Sequence, residues 1–498
     1  MSGTDFLVIG SGPAGVSAAL PLAEAGHDVV MIDAAGDGVM PPGPEARRIA
    51  QGNSDASPKL ATPYARAVTA SFRKDNAIAT ENFFLAGALA RGGLSAIWGG
   101  FAVQYDDGDM QGWPISATGL EPYYRQIIQR IGVSGSSGDT LAEFYGRAGE
   151  LEDPPSLGPL AAQLRANYRR GNGDFLLGLA RNALITKERD GRKACNQQLD
   201  CLWGCDRGAI YDARFDLAQL KRHANFRLQD NAQALALRQE GGAWRVLLRD
   251  GSTLSARKII LAAGCLGSTA LAATALMQAP QTFRLLTNPV MALPFLVPSR
   301  LGKSLPKSGI SIAQLGYRQA CGADYVTGAI YEIAGLPSWN FTGRLLFSRR
   351  GAEKLFPMLA PALLVATCYF PGAFSDNRLT VTPSGDGAQL FIHGGQAPSL
   401  PGLSKAVKAD LARNFRKAGA WLLPGAALAV PGTDVHYAGT LPMGGRDAAG
   451  TSVLGELNGA PGIHVVDGAV LPSLSAKYPT LTIMANAARI GSELARLT

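Results

Sequence analysis

Gly10, Gly12 and Gly15 stand in the spacing Gly-x-Gly-x-x-Gly, and the chain then runs through small residues to an apolar stretch, Val29 to Ile32, that ends on Asp33. These residue types suit holding a dinucleotide. Gly10 permits a sharp exit from the preceding apolar run, Phe6 to Ile9, Gly12 lets the main chain approach a pyrophosphate, and Gly15 lets a helix pack close to a sheet. The amides from Gly12 through Pro13 and Ala14 to Gly15 open that helix and offer donors and the positive end of its dipole to phosphates. Asp33 can accept hydrogen bonds from an adenosine ribose. A glycine turn in another α/β protein is the competing reading, which the flanking strands, the Gly26 turn and the well-placed acid oppose. The stretch leaves open whether the dinucleotide is FAD or a nicotinamide.

Two further glycine-bearing segments extend the pattern. Arg91 to Gly100 carries Gly92, Gly93 and Gly99 with Ser95 and Trp98, so its backbone can lie flat against a planar or phosphorylated group; a tight structural turn is an equal reading. An apolar run beginning at Lys258 ends in Ala262-Ala263-Gly264 and enters a helix of small residues, Ser268 to Met277. It is predicted as a parallel strand beside the first. Residues 226 to 261 as a whole read as a strand meander.

Elements that must support these segments follow from periodicity and breakers. Residues 120 to 132 predict an amphipathic helix ending at Gly132. Residues 34 to 75, which include the Pro/Gly-rich run MPPGPEARR at 40–48, predict an irregular or lid-like loop. From 280 to 430 the chain turns to apolar runs, prolines and aromatics such as Trp339, Phe341, Tyr369 and Trp421, with a hairpin over 377 to 392. A sheet-based second domain over the cofactor is expected there. The run Leu355 to Phe370 is too short for a membrane span and carries Pro357 and Pro361, so a core strand is expected. Residues 137 to 194 show no catalytic cluster.

With 498 residues, 47% of them hydrophobic, the chain can bury the cores of two or three domains. The net charge of +8 comes from scattered basic residues with only short pairs such as Arg47-Arg48, Arg169-Arg170 and Arg349-Arg350, which favours a solvated surface over a nucleic-acid site. Because the first strand begins about four residues after Met1, a secretory signal has no room and a cytoplasmic protein is expected. Cys195, Cys201 and Cys205 fit neither the usual zinc spacing nor a secreted disulfide framework, so a reduced structural loop is expected and no metal.

The C-terminal part holds His436-x-x-Gly439-Thr440, then Asp467-Gly468-Ala469, then Tyr478-Pro479-Thr480 before a final helix. In this order, and with the motifs above, the chain resembles the glucose-methanol-choline (GMC) family of flavoprotein oxidoreductases; Trp113-Pro114 and Tyr123-Tyr124 also look like the family's. The resemblance covers both ends and the middle strand and fades over 137 to 190 and 280 to 370. It implies FAD, with Gly10 to Gly15 at the pyrophosphate, Asp33 at the ribose, and Gly92 to Gly100 at the pyrophosphate and flavin. It also implies Ala232 to Ala234 by the adenine, Ala262 to Gly264 by the ribose and pyrophosphate, Asp467 to Ala469 by the ribityl chain, and Pro479 and Thr480 at the flavin ring.

The family's histidine matches His436. Oxidising an alcohol requires removal of the hydroxyl proton while hydride leaves carbon for flavin N5, so a base that titrates near neutrality must sit over the ring. The chain departs from the family where a second His or Asn is usual, for Tyr478 stands there. Its reference pKa near about 10 makes it a poor base, so it either assists His436 or blocks the usual substrate geometry.

The expected fold is α/β: a discontinuous Rossmann-like FAD-binding domain (1–110, 190–280 and 432–498) with an α+β substrate domain (111–189 and 281–431) built on an antiparallel sheet. The expected activity is FAD-dependent oxidation of a hydroxyl on a sugar, polyol or alicyclic alcohol to a carbonyl. His436 is the expected base, and O2 or another acceptor would reoxidise the flavin. A redox-silent lyase on the same fold, favoured by Tyr478, and a non-catalytic accessory flavoprotein are the rival readings.

Overall fold

The computed structural model describes residues 4–36, 60, 62–171, 173–276, 279–334 and 355–498. The fingerprint folds as strand Thr4–Ile9, helix Pro13–Glu24 and strand Val29–Ile32, the two strands pairing in parallel with Ile9 opposite Ile32. Strand Thr253–Leu261 lies on the other side of the first strand, also parallel. Phe226–Gln229 extends the sheet beyond Val29–Ile32, and Ala460–Val465 extends it beyond Thr253–Leu261. All five are parallel, and the central strands Thr4–Ile9 and Val29–Ile32 bury the apolar residues Phe6 to Ile9, Val29, Met31 and Ile32.

Residues 226 to 261 are only partly the expected meander. Ala234–Glu240, Ala243–Leu248 and Thr253–Leu261 pair antiparallel in succession, but Phe226–Gln229 leaves them for the parallel edge. The reason is visible in the backbone: Val29 N–H donates to Asn225 O and Asp33 N–H to Gln229 O, which locks this strand beside Val29–Ile32.

The predicted helix at 120 to 132 is Ala117–Ile131, capped by the Ser116 hydroxyl accepting from Gly119 N–H and ended at Gly132. The helix after Gly264 spans Gly264–Leu276. The loop expected over 34 to 75 contains helices Pro63–Thr69 and Phe72–Asp75, and residues 37–59 lie outside the described part, as do Trp339 and Phe341.

A seven-stranded sheet holds Val290–Leu296, Asp324–Glu332, Leu363–Tyr369, Leu315–Cys321 and Phe175–Leu179, with antiparallel pairing throughout and Trp421–Leu422 and Ala427–Leu428 at its edge. Helix Leu400–Lys417 seals its outer face by burying Leu400, Val407, Leu411 and Phe415. Of the apolar run 355 to 370 only Leu363–Tyr369 is strand; Ala360–Ala362 is a 3-10 turn, since prolines 357 and 361 cannot donate to a ladder. The antiparallel sheet, the parallel sheet and their helices make the expected α/β fold.

The hairpin at 377 to 392 exists, as Asn377–Ser384 and Gly387–His393, but joins Gln281–Leu285 and Ile78–Glu81 in a separate four-stranded sheet. Leu379, Val381, Leu390 and Ile392 pack into the same core as the parallel sheet, while the seven-stranded sheet has its own.

Candidate active site

At the C-terminal ends of the parallel strands lies a cavity of about 570 Å³, where open α/β sheets bind ligands. Its floor is the glycine turn. A Cβ on Gly10 would strike the Ala262 carbonyl and one on Gly15 would strike the Gly10 carbonyl, so neither tolerates a side chain. Gly10 and Gly12 line the cavity with Pro13 and Ala14, whereas Gly15 is spent on packing. A Cβ on Gly12 or Gly264 would meet nothing within 4 Å and would project into the same space. A side-chain-free floor at an uncapped helix start fits a pyrophosphate.

Ser11 ties this floor to its neighbours. Its N–H and hydroxyl donate to Asp33 Oδ2 at 2.9 and 2.5 Å, and its oxygen accepts from Gly92 N–H at 3.0 Å. Asp33 lines the cavity and burial raises its pKa above the usual range. Gly93, Ser95 and Trp98 also line the cavity, while Gly92 and Gly99 stand behind it. Ser95 spends its hydroxyl on Gly92 O and Ala213 N–H, and Trp98 spends its indole N–H on Tyr211 O. These two side chains therefore present surface rather than donors.

Ala234, Ala263, Gly264, Asp467, Gly468, Pro479 and Thr480 complete the predicted lining. Asp467 accepts from the Ser268 hydroxyl at 2.5 Å and from Ala469 N–H at 3.0 Å, and burial pushes its pKa up to about 6. Ala469 is itself fully buried and does not line the cavity.

His436 lines one end of the cavity, and its Nδ1 lies 3.0 Å from Asn288 Oδ1. The Asn288 amide is oriented by its own donors, for Nδ2 donates to Phe370 O and Ser475 O, each at 2.8 Å. The oxygen must then face the histidine, so Nδ1 carries the proton and Nε2 carries the lone pair. Asp434 Oδ2 accepts from Asn288 N–H at 2.7 Å and from His436 N–H at 3.2 Å, and lies 3.8 Å from Nδ1.

Tyr478 does not line the cavity. Its ring stacks on Phe101 at 4.3 Å and meets the edges of Tyr369 and His436 at 5.0 and 5.6 Å. The hydroxyl is buried without a hydrogen bond of normal geometry, among Thr367, Tyr331 and Tyr369. Burial and the two neighbouring tyrosines hold its pKa well above the ordinary phenol value. The preceding Lys477 is fully buried and bonded to Asp109 at 2.6 Å and Asp106 at 2.8 Å, which anchors the segment from behind.

Sequence reasoning did not find Asn288, Asp434 or Ser11, nor the lining segments around Phe72 to Ile78 and Ser384 to Leu390. Asp434 had a readable signal, an Asp placed to accept the N–H two residues on. Asn288 had none, being 148 positions from the histidine it orients. His464 is buried and bonded to Leu454 O. Cys195, Cys201 and Cys205 pack with Leu184, Ile210, Ile310 and Ile312 beneath Trp98, and burial pushes Cys201 up to about 12.

The glycine floor, the acid after the second strand and the histidine at the far end fit a FAD-dependent oxidoreductase, and the family described as "FAD dependent oxidoreductase" matches residues 5–294. The family described as "GMC oxidoreductase" matches residues 424–487, where His436, Asp467 and Pro479 lie, and the chain belongs to the GMC family. It is 28% identical to paromamine 6'-oxidase of Streptomyces fradiae, covering 99% of this chain and 91% of that one. It is 25% identical to 6'''-hydroxyparomomycin C oxidase of Streptomyces lividus over 99% of this chain and 91% of the other. The fold matches that of pyridoxine 4-oxidase from Mesorbium loti with a TM-score of 0.60 at 16% identity, covering 98% and 99% of the two chains.

Proposed function

We propose that this enzyme oxidises a hydroxyl group of a sugar, polyol or alicyclic alcohol to a carbonyl, with His436 taking the hydroxyl proton. The observation that carries this reading is the Asn288 contact, which sets the tautomer of a histidine that lines the same cavity as the dinucleotide fingerprint. FAD, when bound, supplies the hydride acceptor. Gly12, Pro13, Ala14 and Gly93 would hold its pyrophosphate, Asp33 its ribose, and Asp467 and Gly468 with Pro479 and Thr480 its reactive half. His436 accepts the proton at Nε2 while Asn288 keeps Nδ1–H pointed away. Tyr478 walls the histidine and keeps water from that side, since its hydroxyl has no access to the cavity.

Relatives named as oxidases of paromamine and of 6'''-hydroxyparomomycin C support a hydroxyl-bearing small molecule as substrate. The redox-silent alternative draws on Tyr478, which packs beside His436 but does not line the cavity. The division into an FAD-binding part (1–110, 190–280, 432–498) and a substrate part (111–189, 281–431) belongs to this reading, with the 377 to 392 hairpin moved to the FAD side by its core. The six free cysteines support work in a reducing cytoplasm, and among the described residues no helix is long and apolar enough to cross a membrane. O2 or another acceptor would reoxidise the cofactor. The test is anaerobic mixing with a panel of sugars, polyols and alicyclic alcohols: at least one bleaches the flavin absorption. If none does while dithionite does, alcohol oxidation is wrong.

A further inference from the structure

We infer that Asp434 is a positioning residue for His436: its buried carboxylate holds the backbone turn that presents the imidazole and raises that ring's affinity for a proton. This inference rests on the reading of His436 as proton acceptor.

The geometry places one carboxylate oxygen at three points of the same apparatus. Asp434 Oδ2 accepts the Asn288 N–H at 2.7 Å and the His436 N–H at 3.2 Å, and stands 3.8 Å from His436 Nδ1. It thus fixes the residue that orients the imidazole and the imidazole's own backbone. Between the two lies Val435, whose φ of 61° is a left-handed conformation that a β-branched residue adopts only under constraint. The Asp434 acceptance of the N–H two residues on supplies that constraint, and the strained turn aims the ring at the cavity.

The other oxygen, Oδ1, is buried and has no hydrogen-bond partner. A buried acid with one oxygen unsatisfied is costly as an anion, and burial accordingly pushes this carboxyl up to about 7. A purely structural role would be met at lower cost by an uncharged acceptor. A positive charge arising on the imidazole at 3.8 Å relieves the cost, so the carboxylate favours the protonated ring. Three tyrosines stand by the ring: Tyr369 stacked at 5.6 Å, Tyr478 edge-on at 5.6 Å, and Tyr437 next in the chain. Burial raises all three above the ordinary phenol value, so they stay neutral, and Asp434 is the acid that stands nearest the imidazole in this group.

The experiment reads proton affinity directly and needs no substrate. FAD-loaded wild type, Asp434→Asn and Val435→Gly are treated briefly with diethyl pyrocarbonate, which acylates neutral imidazole, across a pH series. Mass spectrometry of the peptide bearing His436 gives the midpoint of modification. In Asp434→Asn the midpoint falls by about one unit or more, a tenfold loss of proton affinity per unit. In Val435→Gly, which removes strain and keeps the charge, it stays within about 0.3 unit. An unchanged midpoint in Asp434→Asn overturns the inference, as does an equal fall in both variants. If Asp434→Asn does not fold, the same comparison is made between Asp434→Asn/Val435→Gly and Val435→Gly. A failed alcohol screen would sink the proposed reaction and leave this midpoint shift fully readable.

Discussion

Asn288 and His436, 148 positions apart, meet at 3.0 Å, and the asparagine amide decides which imidazole nitrogen holds the proton. Replacing His436 by Ala removes the acceptor and leaves the cofactor floor intact. FAD content stays at the wild-type ratio, and anaerobic flavin reduction by the best alcohol falls by about 10²–10⁴-fold, the range of a general base. Reduction at the full rate would move the role elsewhere.

Asn288→Ala strands the carbonyls of Phe370 and Ser475 and releases the imidazole tautomer. Stability should fall by about 1–3 kcal/mol, the cost of unsatisfied buried groups. Flavin reduction should fall at least tenfold as well, so a variant that loses stability with an unchanged rate shows Asn288 to be structural.

Gly12 and Gly15 separate binding from folding. Gly12→Val places a Cβ that meets no protein atom within 4 Å and adds bulk at the cavity floor, so the chain is expected to fold and emerge without FAD. Gly15→Ala drives a methyl into the Gly10 carbonyl and costs about 1–3 kcal/mol, read as a lower unfolding temperature. A yellow Gly12→Val protein would show that the pyrophosphate lies elsewhere.

Tyr478→Phe removes a buried hydroxyl that has no hydrogen bond of its own. Single-turnover flavin reduction should stay within about twofold, and stability should hold or rise by up to about 1 kcal/mol. A rate loss of tenfold or more would restore the phenol to the chemistry.

Burial holds Asp434 up to about 7 and Asp467 up to about 6. Unfolded, both ionise near about 4, so in the interval the native chain binds more protons than the unfolded one. Their contribution to stability is therefore complete below about pH 4 and lost as pH rises through 6 to 7. With saturating FAD, the unfolding temperature should decline over that window, and Asp434→Asn should flatten the decline. An identical slope in the variant would show that the carboxyl does not titrate there.

The parallel sheet and its glycine floor were legible because their causes are local. A strand exit, a close helix and an acid after the second strand each impose a residue type at a fixed spacing, and Gly10, Gly15 and Asp33 satisfy them within one continuous unit. The same holds for the helix closed by Gly132 and for the hairpin at 377 to 392. Periodicity states which face of a segment is apolar and says nothing of which core receives it. The hairpin accordingly went to the first core and Phe226–Gln229 to the parallel edge.

The same division runs through the site. By itself the sequence determined the glycine turn and its strands, FAD as the cofactor through the resemblance, and His436 as the candidate proton acceptor. The tertiary structure alone decided which groups surround that histidine and where Tyr478 stands. Asn288 reaches His436 only because the strand that follows it, Val290–Leu296, pairs with Leu363–Tyr369, whose Tyr369 stacks on the same ring. Tyr478 is turned from the cavity because Phe101 and the anchored Lys477 fix its backbone and ring. Hydrogen-bond direction and side-chain orientation are set by partners distant in sequence, and no local spacing encodes them.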